Sequence, residues 1–338
     1  MWEVVGQTRT VSLLQRSLKQ GVVAHAYLFI GPPHVGKMTL ALDLAKALNC
    51  EAAEPPCGTC ASCQKIASAK HADVQIIGLA GDRNSGEAKL QTEISIDQIR
   101  EMQHSASLPP FEGSFKVFII DGAELLSHEA ANSLLKTLEE PAGKVIFILL
   151  TSSERLLPAT IVSRCQRLEL TPLAATEIET ALCSRRDIEM PKAKLLAGLC
   201  RGCFGWALSA ACDDELLQQR AERLERLLRV ISGDGEERFN YALQLATQFS
   251  QNRALVGEIL DLWLNWWRDL LLVKAGCSSL ITNTDLEAML TSHAQDYSLG
   301  QIRDFITSIQ MALEQLKQNA NPQLALEVLM LSIPRRGD

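Results

Sequence analysis

Four cysteines in the first third of the chain have the spacing of a metal site. Cys50, Cys57, Cys60 and Cys63 fall within fourteen residues, and two C-x-x-C steps share Cys60. Thiolates at this spacing can surround a tetrahedral ion at about 2.3 Å, and four of them leave no coordination position open. The spacing therefore predicts a structural Zn²⁺ site. Two alternatives remain, namely four incidental buried thiols and a redox-active C-x-x-C pair.

A second pattern, GPPHVGK at residues 31–37, has the form of a phosphate-binding loop. It follows an apolar run and precedes a helical pattern, and in that context backbone N–H groups and a helix N-terminus bind phosphate. Gly31, Gly36 and Lys37 are therefore the candidate nucleotide contacts. Asp121 ends the apolar run at residues 117–121, and we expect it to lie beside the loop.

The two nucleotide motifs lack groups that ATP hydrolysis requires. Met38 stands where such loops carry the Ser or Thr that binds magnesium, and Thr39 points about 100° away around the helix. Gly122 follows Asp121, where ATPases of the AAA+ type place the Glu that polarises water. The sequence thus predicts weak or absent binding of ATP and Mg²⁺, with either a residual metal role or a structural role for Asp121.

Strands must alternate with helices to position these motifs. The predicted strands are nearly continuous apolar runs, as expected of parallel strands covered on both faces. They are Tyr27–Gly31, Val74–Gly78, Phe115–Asp121, Val145–Thr151 and Gln166–Leu170. The helical patterns between them are Lys37–Leu48, Ile96–Ser107, His128–Glu140 and Leu156–Cys165. This alternation predicts an α/β domain with a five-stranded parallel sheet.

After Pro172 the strand signals stop and only helical periodicity continues. We predict an α/β nucleotide-binding-like domain over residues 1–170 with a zinc module at 50–63, a small helical lid over 171–212, and an all-α domain over 213–338. Trp263, Trp266 and Trp267 have helical spacing. That spacing predicts a bundle core or a subunit interface rather than a surface on which nucleic-acid bases stack.

Composition and charge argue against several classes of protein. The 33 basic and 40 acidic side chains give a formal net charge of −7, which disfavours nonspecific binding to nucleic acid. No apolar run approaches the roughly 20 residues that span a bilayer, and the first residues lack a signal-peptide pattern. We therefore expect a cytoplasmic chain with no membrane partner, and a reducing compartment disfavours disulfides.

Several motifs resemble those of bacterial clamp-loader subunits, which belong to the AAA+ family. Besides the phosphate loop, they are VGQ at residues 5–7, HAYLF at 25–29, NSLLKTLEEP at 132–141, LPATIVSRC at 157–165 and LWLNWWRDL at 262–270. Their order and spacing match over nearly the whole chain. The resemblance implies an AAA+ P-loop domain with a zinc module, followed by a helical lid and an all-α C-terminal collar that joins subunits.

Within this family, the missing groups favour a subunit that does not hydrolyse ATP. The family's motors carry a lid Arg where this chain has Gly205. The resemblance implies a heteropentamer with the gamma/tau motor subunits and the delta subunit, which loads a sliding clamp onto primed DNA. One alternative is an active gamma/tau-like motor in which Thr39 and Glu124 replace the missing groups. A zinc-stabilised nucleic-acid-binding protein is the other.

The resemblance also implies a role for Arg164, which lies in Ser163-Arg164-Cys165. In AAA+ rings the residue at this place faces the γ-phosphate of the adjacent protomer. A guanidinium is always charged and can contact two phosphate oxygens at once. Arg164 is therefore the candidate arginine finger, acting in trans on a neighbouring motor. The alternative is a surface arginine that pairs with a local carboxylate.

Overall fold

The computed structural model describes residues 2–79, 93–140, 143–318 and 320–335, apart from the side chains of Arg186, Asp214, Ala254 and Ser279. The chain forms two compact units. The first comprises Met1–Ala181 and Gly202–Trp206, and the second comprises Leu182–Arg201 and Ala207–Asp338. The finer division into an α/β domain, a lid and a collar at residues 170 and 212 stays a prediction.

The first unit is built on a five-stranded sheet in the order β2-β3-β4-β1-β5. Its strands are β1 (Ala26–Ile30), β2 (Val74–Ile77), β3 (Lys116–Asp121), β4 (Val145–Thr151) and β5 (Gln166–Glu169). Every neighbouring pair is parallel. The predicted α/β class is confirmed, and each predicted strand is correct to within one residue at either end.

Helices cover both faces of this sheet. They are α1 (Thr8–Gln20), α2 (Lys37–Asn49), α3 (Ala61–Ala67), α4 (Ile96–Ser107), α5 (His128–Glu139) and α6 (Ala159–Val162). Leu44 of α2 and Phe29 of β1 belong to one apolar core, whereas Leu134 of α5 and Leu28 of β1 belong to a second. Successive strand residues point to opposite faces, so β1 contributes to both cores.

Local sequence signals explain where the helix predictions succeed and fail. The predicted bounds of α4 are correct, because Ser95 and Gln98 form a capping box at its start. The predicted helix Leu156–Cys165 is wrong. A 3₁₀ turn at Glu154–Leu156 and the single turn α6 are separated at Pro158, because proline restricts the preceding residue to extended backbone and has no N–H to donate. Pro141, the last residue of the motif at residues 132–141, lies outside the described residues.

The second unit is helical throughout its described residues. Its helices are α8 (Met190–Leu199), α10 (Asp214–Ser232), α11 (Gly235–Gln251), α12 (Arg253–Lys274), α13 (Glu287–Gln295), α14 (Leu299–Lys317) and α15 (Pro322–Leu331). The division between the two units falls within α7 (Ala175–Arg186) and α9 (Phe204–Cys212). In the part of the chain that the structure describes, no helix is both long and apolar enough to cross a membrane.

Aromatic side chains of α12 form the core of the second unit. Trp263, Trp266 and Trp267 are fully buried. Trp263 stacks on Tyr241 of α11 with ring centroids 6.0 Å apart, and Trp267 lies 4.7 Å from the ring of Phe305 in α14. The prediction that these tryptophans pack in a bundle core rather than offer a base-stacking surface is confirmed.

Candidate functional site

The four cysteines converge as their spacing predicts. All four Sγ atoms lie within 4.8 Å of one another. The Cys57 and Cys63 sulfurs are 4.0 Å apart, as are those of Cys50 and Cys60. Four thiolates bound to one tetrahedral zinc ion have sulfurs about 3.8 Å apart. The cluster could therefore hold a metal ion after the sulfurs move together, by about 0.2 Å for the two pairs at 4.0 Å and by up to about 1 Å for the widest pair.

Two short elements position the four sulfurs. Cys50 follows the last residue of α2, Cys60 caps the start of α3, and Cys63 lies in the first turn of that helix. Backbone N–H groups point at the sulfurs, since Cys57 donates to Cys50 Sγ over 3.4 Å and Cys60 donates to Cys57 Sγ over 3.3 Å. Such donors stabilise thiolate charge, as the surroundings of metal ligands commonly do.

The thiols differ in acidity. Backbone donation, most of all from Cys60, lowers the pKa of the Cys57 thiol to about 5. Burial raises the pKa of the Cys63 thiol to about 12. A coordinated divalent cation deprotonates such a thiol, so metal binding here would release protons and would strengthen as the pH rises.

His71 and Asp73 lie beside the cysteines and order the neighbouring loop. His71 Nδ1 accepts the N–H of Asp73 over 3.1 Å, which leaves Nε2 to donate to Ser62 Oγ at 3.2 Å. Asp73 accepts three backbone N–H groups, from residues 111, 112 and 113, over 2.7–2.8 Å. Burial alone would raise the pKa of this carboxyl, but the three donors together hold it below its usual range. The sequence does not predict the partners of Asp73, because the three N–H groups lie 38–40 residues further along the chain.

The phosphate loop connects β1 to α2, and its two glycines are required by the backbone. Gly36 adopts a φ of 106°, a conformation that side chains with a Cβ rarely adopt. A Cβ at Gly31 would lie 2.6 Å from the carbonyl oxygen of Leu170. The structure therefore places Gly31, Gly36 and Lys37 in one loop, as the sequence predicts.

Lys37 is hydrogen-bonded to its own loop. Its Nζ donates to the Gly31 carbonyl over 2.5 Å and to the Pro32 carbonyl over 2.9 Å. Burial lowers the pKa of Lys37, and the nearby charges of Glu124 and Asp121 oppose that shift. Asp121 thus lies beside the loop as expected. A nucleotide phosphate would have to replace the two carbonyls as the partner of the lysine.

The positions of the missing catalytic residues hold groups of different chemistry. Met38 packs against the apolar core that includes α2, and a thioether is a poor ligand for magnesium. Gly122 has a φ of 75°, so a glutamate there would be strained. Glu124 Oε1 accepts the N–H of Ser152 over 3.0 Å and its hydroxyl over 2.7 Å. Ser152 therefore fixes one oxygen of that carboxylate.

The start of α9 lies against the phosphate loop. Gly205 donates its N–H to the His34 carbonyl over 2.9 Å, and a Cβ at Gly205 would lie 2.8 Å from that oxygen. An arginine at this position could be accommodated only if the loop or the helix moved. The resemblance predicts that Gly205 replaces a lid Arg of the motors, but the sequence cannot show this close approach, because the contact joins segments 171 residues apart.

Arg164 lies between α6 and β5 on the surface of the first unit. Its Nη1 donates to the Thr160 carbonyl over 2.8 Å, and its Nη2 forms an ion pair with Glu139 at the end of α5. The arginine side chain is 32% exposed and that of Glu139 is 50% exposed. Ion pairs at such positions contribute only about 0–1 kcal/mol, so a stronger anionic partner could displace Glu139.

Comparisons with known proteins agree along the chain. Residues 6–174 match the family model described as DNA polymerase III, delta subunit, and residues 214–334 match the model of its C-terminal region. The DNA polymerase III subunit delta′ of Bacillus subtilis is 30% identical over 328 residues, which cover 97% of this chain and 96% of that relative. The subunit tau of the same bacterium is 28% identical over 98% of this chain and 61% of its own length. A solved gamma subunit-related protein of Thermotoga maritima is 19% identical, with a TM-score of 0.49 and coverage of 96% of this chain and 98% of its own.

The parallel sheet with a phosphate loop after β1 defines a P-loop protein. The chain belongs to the family of DNA polymerase III delta-prime subunits, because two family models and a relative of nearly equal length match it. The resemblance to bacterial clamp-loader subunits that the motifs predict is confirmed.

Proposed function

We propose that this chain is an assembly subunit of the bacterial clamp loader and does not hydrolyse ATP itself. The observation that carries the proposal is the state of its nucleotide site. Lys37 is bound by the carbonyls of its own loop, and the magnesium and water-polarising positions hold Met38 and Gly122. Such a subunit contributes to the DNA-directed DNA polymerase holoenzyme without intrinsic catalysis.

ATP and Mg²⁺ bind weakly or not at all to this subunit. Gly31, Gly36 and Lys37 would contact any nucleotide that entered, and Asp121 would face its metal ion. Phosphate binding must first break the two hydrogen bonds of Lys37, and magnesium finds no hydroxyl at residue 38. A nucleotide would therefore gain less binding free energy here than at a complete site.

Arg164 is the arginine finger that acts in trans on ATP bound by a neighbouring motor. The guanidinium is partly exposed, and the surface ion pair with Glu139 is weak enough to break when a triphosphate approaches. Arginine fingers stabilise the negative charge of the phosphoryl-transfer transition state and contribute roughly 10³–10⁵ in rate. The short helix α6 fixes the backbone that carries this side chain.

The metal of the four-cysteine module is Zn²⁺ with a structural role. Four sulfur ligands that lie close enough together to surround one tetrahedral ion favour zinc. A site with four protein ligands leaves no coordination position for a substrate. Zinc would contribute folding free energy to a segment whose residues 51–55 are exposed.

The partners follow from this role. They are the gamma/tau motor subunits and the delta subunit of a heteropentamer, joined through the helical collar, with the sliding clamp and primed DNA reached through the complex. Chromosomal replication takes place in the bacterial cytoplasm, so the proposed function predicts a cytoplasmic protein.

The test compares two neighbouring arginines in a clamp loader reconstituted with the motor and delta subunits. Arg164→Ala should lower DNA-stimulated ATP turnover at least tenfold while zinc content and assembly stay unchanged. Arg167→Ala is the matched control, because Arg167 is 56% exposed and also forms a surface ion pair, with Glu154. Unchanged turnover for Arg164→Ala would contradict the finger assignment.

An active motor is the second candidate function, and the position of Glu124 favours it. This carboxylate lies close enough to Lys37 to oppose the lowering of the lysine pKa. The isolated chain decides between the two functions. ATP turnover of about 1 s⁻¹ or more, the low end of typical enzymes, would support the motor, and its absence would support the assembly subunit.

A further inference from the structure

A surface ion pair joins the ends of two helices that pack in the same apolar core of the first unit. Glu139 is the last residue of α5, and Arg164 follows α6 by two residues. Leu138, directly before Glu139, and Ile161 of α6 are both buried in that core. The N–H of Arg164 donates to the Ile161 carbonyl over 3.1 Å. The backbones that carry the two charged groups are therefore fixed, whereas the side chains reach the surface.

The guanidinium of Arg164 has two kinds of partner. Its Nη1 donates to the Thr160 carbonyl over 2.8 Å and to the Ser163 hydroxyl oxygen over 3.4 Å, both at the end of α6. Its Nη2 pairs with the Glu139 carboxylate, which belongs to α5. A backbone carbonyl stays in place while its helix is folded, but a surface side chain can rotate into water. Nη1 is therefore the anchored end of the guanidinium, and Nη2 is the exchangeable end.

Glu139 lies where a carboxylate does not stabilise its own helix. The C-terminal end of an α-helix carries partial negative charge, which disfavours an acidic side chain. Arg164 supplies the opposite charge across the gap between α5 and α6. The Glu139 side chain is 50% exposed, so water solvates its carboxylate when the pair opens. This position suits a partner that binds the guanidinium and releases it again.

We propose that Glu139 is the resting partner of Arg164 and thereby regulates the affinity of the neighbouring motor for ATP. This inference rests on the arginine-finger role proposed above. While the neighbouring site is empty, the Glu139 carboxylate holds Nη2, which a γ-phosphate oxygen takes when ATP binds. Carboxylate and phosphate oxygens are both anionic acceptors that guanidinium groups bind well, so one can replace the other. The bond from Nη1 to the Thr160 carbonyl keeps the guanidinium in place during this exchange.

Two effects of Glu139 on ATP binding have the same sign. An arriving triphosphate must compete with the carboxylate for Nη2, and the displaced carboxylate stays near the phosphates and repels their negative charge. Because exposed ion pairs are weak, the two effects together lower the affinity for ATP by about two- to fivefold. Once ATP is bound, the pair is already open, so the rate at saturating ATP does not depend on it.

The test is the ATP dependence of turnover in the reconstituted complex with Glu139→Gln, which keeps the size of the side chain and removes its charge. The ATP concentration at half-maximal DNA-stimulated turnover should fall by about two- to fivefold, and the maximal rate should stay within about twofold. The fall should shrink as salt is added, since salt screens exposed charges. Glu154→Gln is the matched control, because Glu154 also forms a surface ion pair, with Arg167, and should change neither quantity.

A double-mutant cycle shows whether Glu139 acts through Arg164. In the Arg164→Ala background, Glu139→Gln should leave the half-saturating ATP concentration of the residual turnover unchanged, because no guanidinium remains to be released. Three results would overturn the inference. They are an unchanged ATP dependence for Glu139→Gln alone, an equal fall in the Arg164→Ala background, and a lower maximal rate, which would mean that Glu139 orients the guanidinium in the transition state.

NMR relaxation of the isolated chain tests the ion pair without any other subunit. Glu139→Gln should lower the order parameter of the Arg164 Nε–H group, and Glu154→Gln should leave it unchanged. Equal order parameters in all three chains would mean that Glu139 does not hold the guanidinium and would overturn the inference. Unchanged turnover for Arg164→Ala in the complex would instead contradict the finger role, whereas a failure of Glu139→Gln alone leaves that role intact.

Discussion

The phosphate loop and the four-cysteine module lie at the two ends of α2. They differ in whether the groups that would bind a ligand are available as well as the backbone shape. The loop at the start of α2 retains the glycines and lysine that set its shape, but Lys37 is bonded to its own backbone. The cysteines at the other end all converge, and backbone N–H groups point at their sulfurs. One region retains the shape of a site, and the other retains both shape and ligands.

The contrast separates residues that set the backbone shape of a motif from residues that supply its chemistry. Gly31 and Gly36 are required by the backbone, because any side chain would clash or be strained there. The residue after Lys37 faces no such demand, so methionine fits as well as a hydroxyl residue. In a tetrahedral metal site, in contrast, every ligand both binds the ion and sets the geometry of the site, so no ligand serves the geometry alone.

Removal of one ligand from the cysteine module should produce the largest effect. Cys60→Ser is expected to abolish stoichiometric zinc and to lower the free energy of unfolding by at least about 3 kcal/mol, a fraction of the roughly 10–16 kcal/mol that structural zinc supplies in small zinc-binding peptides. Metal analysis and thermal unfolding measure both quantities. Cys212→Ser, at an exposed cysteine, is the control. A variant that keeps one zinc per chain would contradict the assignment.

The next largest change in the free energy of unfolding is expected at Asp73, whose carboxylate accepts the N–H groups of residues 111, 112 and 113. Asp73→Asn should lower the free energy of unfolding by about 1–3 kcal/mol at neutral pH, because an amide NH₂ would face backbone N–H donors inside a buried site. The folded pKa of Asp73 lies below its usual value of 3.8, so its stabilisation is complete above about pH 4.

The pH dependence of that effect has a definite sign. As the pH falls through the folded pKa, the carboxylate is protonated and its contribution to stability is lost. The difference in unfolding free energy between the unsubstituted chain and Asp73→Asn should therefore shrink below about pH 4, as urea unfolding at pH 7 and pH 3 would measure. A difference that stays constant with pH would show that charge is not the cause.

Much of the fold could be predicted because its signals are local. Parallel strands that are buried on both faces have nearly continuous apolar sequences. The ends of each strand can therefore be predicted from the sequence to within one residue. The bounds of α4 follow from a capping box that four residues specify. The helix predicted at Leu156–Cys165 fails at its start, because Pro158 has no N–H to donate and restricts Leu157 to extended backbone, so α6 begins only at Ala159.

The candidate sites were predictable only where their residues lie close together in the sequence. The four cysteines fall within fourteen residues, and the convergence of their sulfurs follows from that spacing. The contacts that hold Phe111, the approach of Gly205 to His34 and the pairing of Arg164 with Glu139 join distant segments. A single sequence has no local signal for such pairs, because the tertiary fold alone brings them together.

Restoration of the magnesium ligand by Met38→Thr should change the free energy of ATP binding by less than Cys60→Ser or Asp73→Asn changes the free energy of unfolding. Met38→Thr is expected to raise the magnesium-dependent affinity for ATP by about tenfold at most, or about 1.4 kcal/mol. The gain is limited because Lys37 must still leave its carbonyl partners, and Gly205 still offers no cation. Titration with labelled ATP measures it, with Met38→Leu as the control. ATP turnover by Met38→Thr would mean that Gly122 and Gly205 do not prevent hydrolysis.

The smallest effect, on both the free energy of unfolding and the ATP turnover of the complex, is expected at Lys37. This lysine is the residue most diagnostic of an active phosphate loop. Lys37→Met keeps the apolar stem and removes the charge. Burial lowers the pKa of Lys37, so folding disfavours the protonated form, and at neutral pH this costs the folded state free energy. Removal of the charge recovers that cost but loses the bonds to Gly31 and Pro32, so the two changes largely offset each other in the free energy of unfolding.

The reconstituted complex gives the decisive measurement for Lys37→Met. ATP turnover and clamp loading should stay within about twofold of the unsubstituted complex, a change of about 0.4 kcal/mol in activation free energy. The same substitution in the phosphate loop of a motor subunit is the control and should abolish that motor's contribution. A loss of tenfold or more for Lys37→Met in this chain would mean that its loop binds nucleotide during the cycle. The phosphate loop and the cysteine module would then both be working sites, and the contrast between them would not hold.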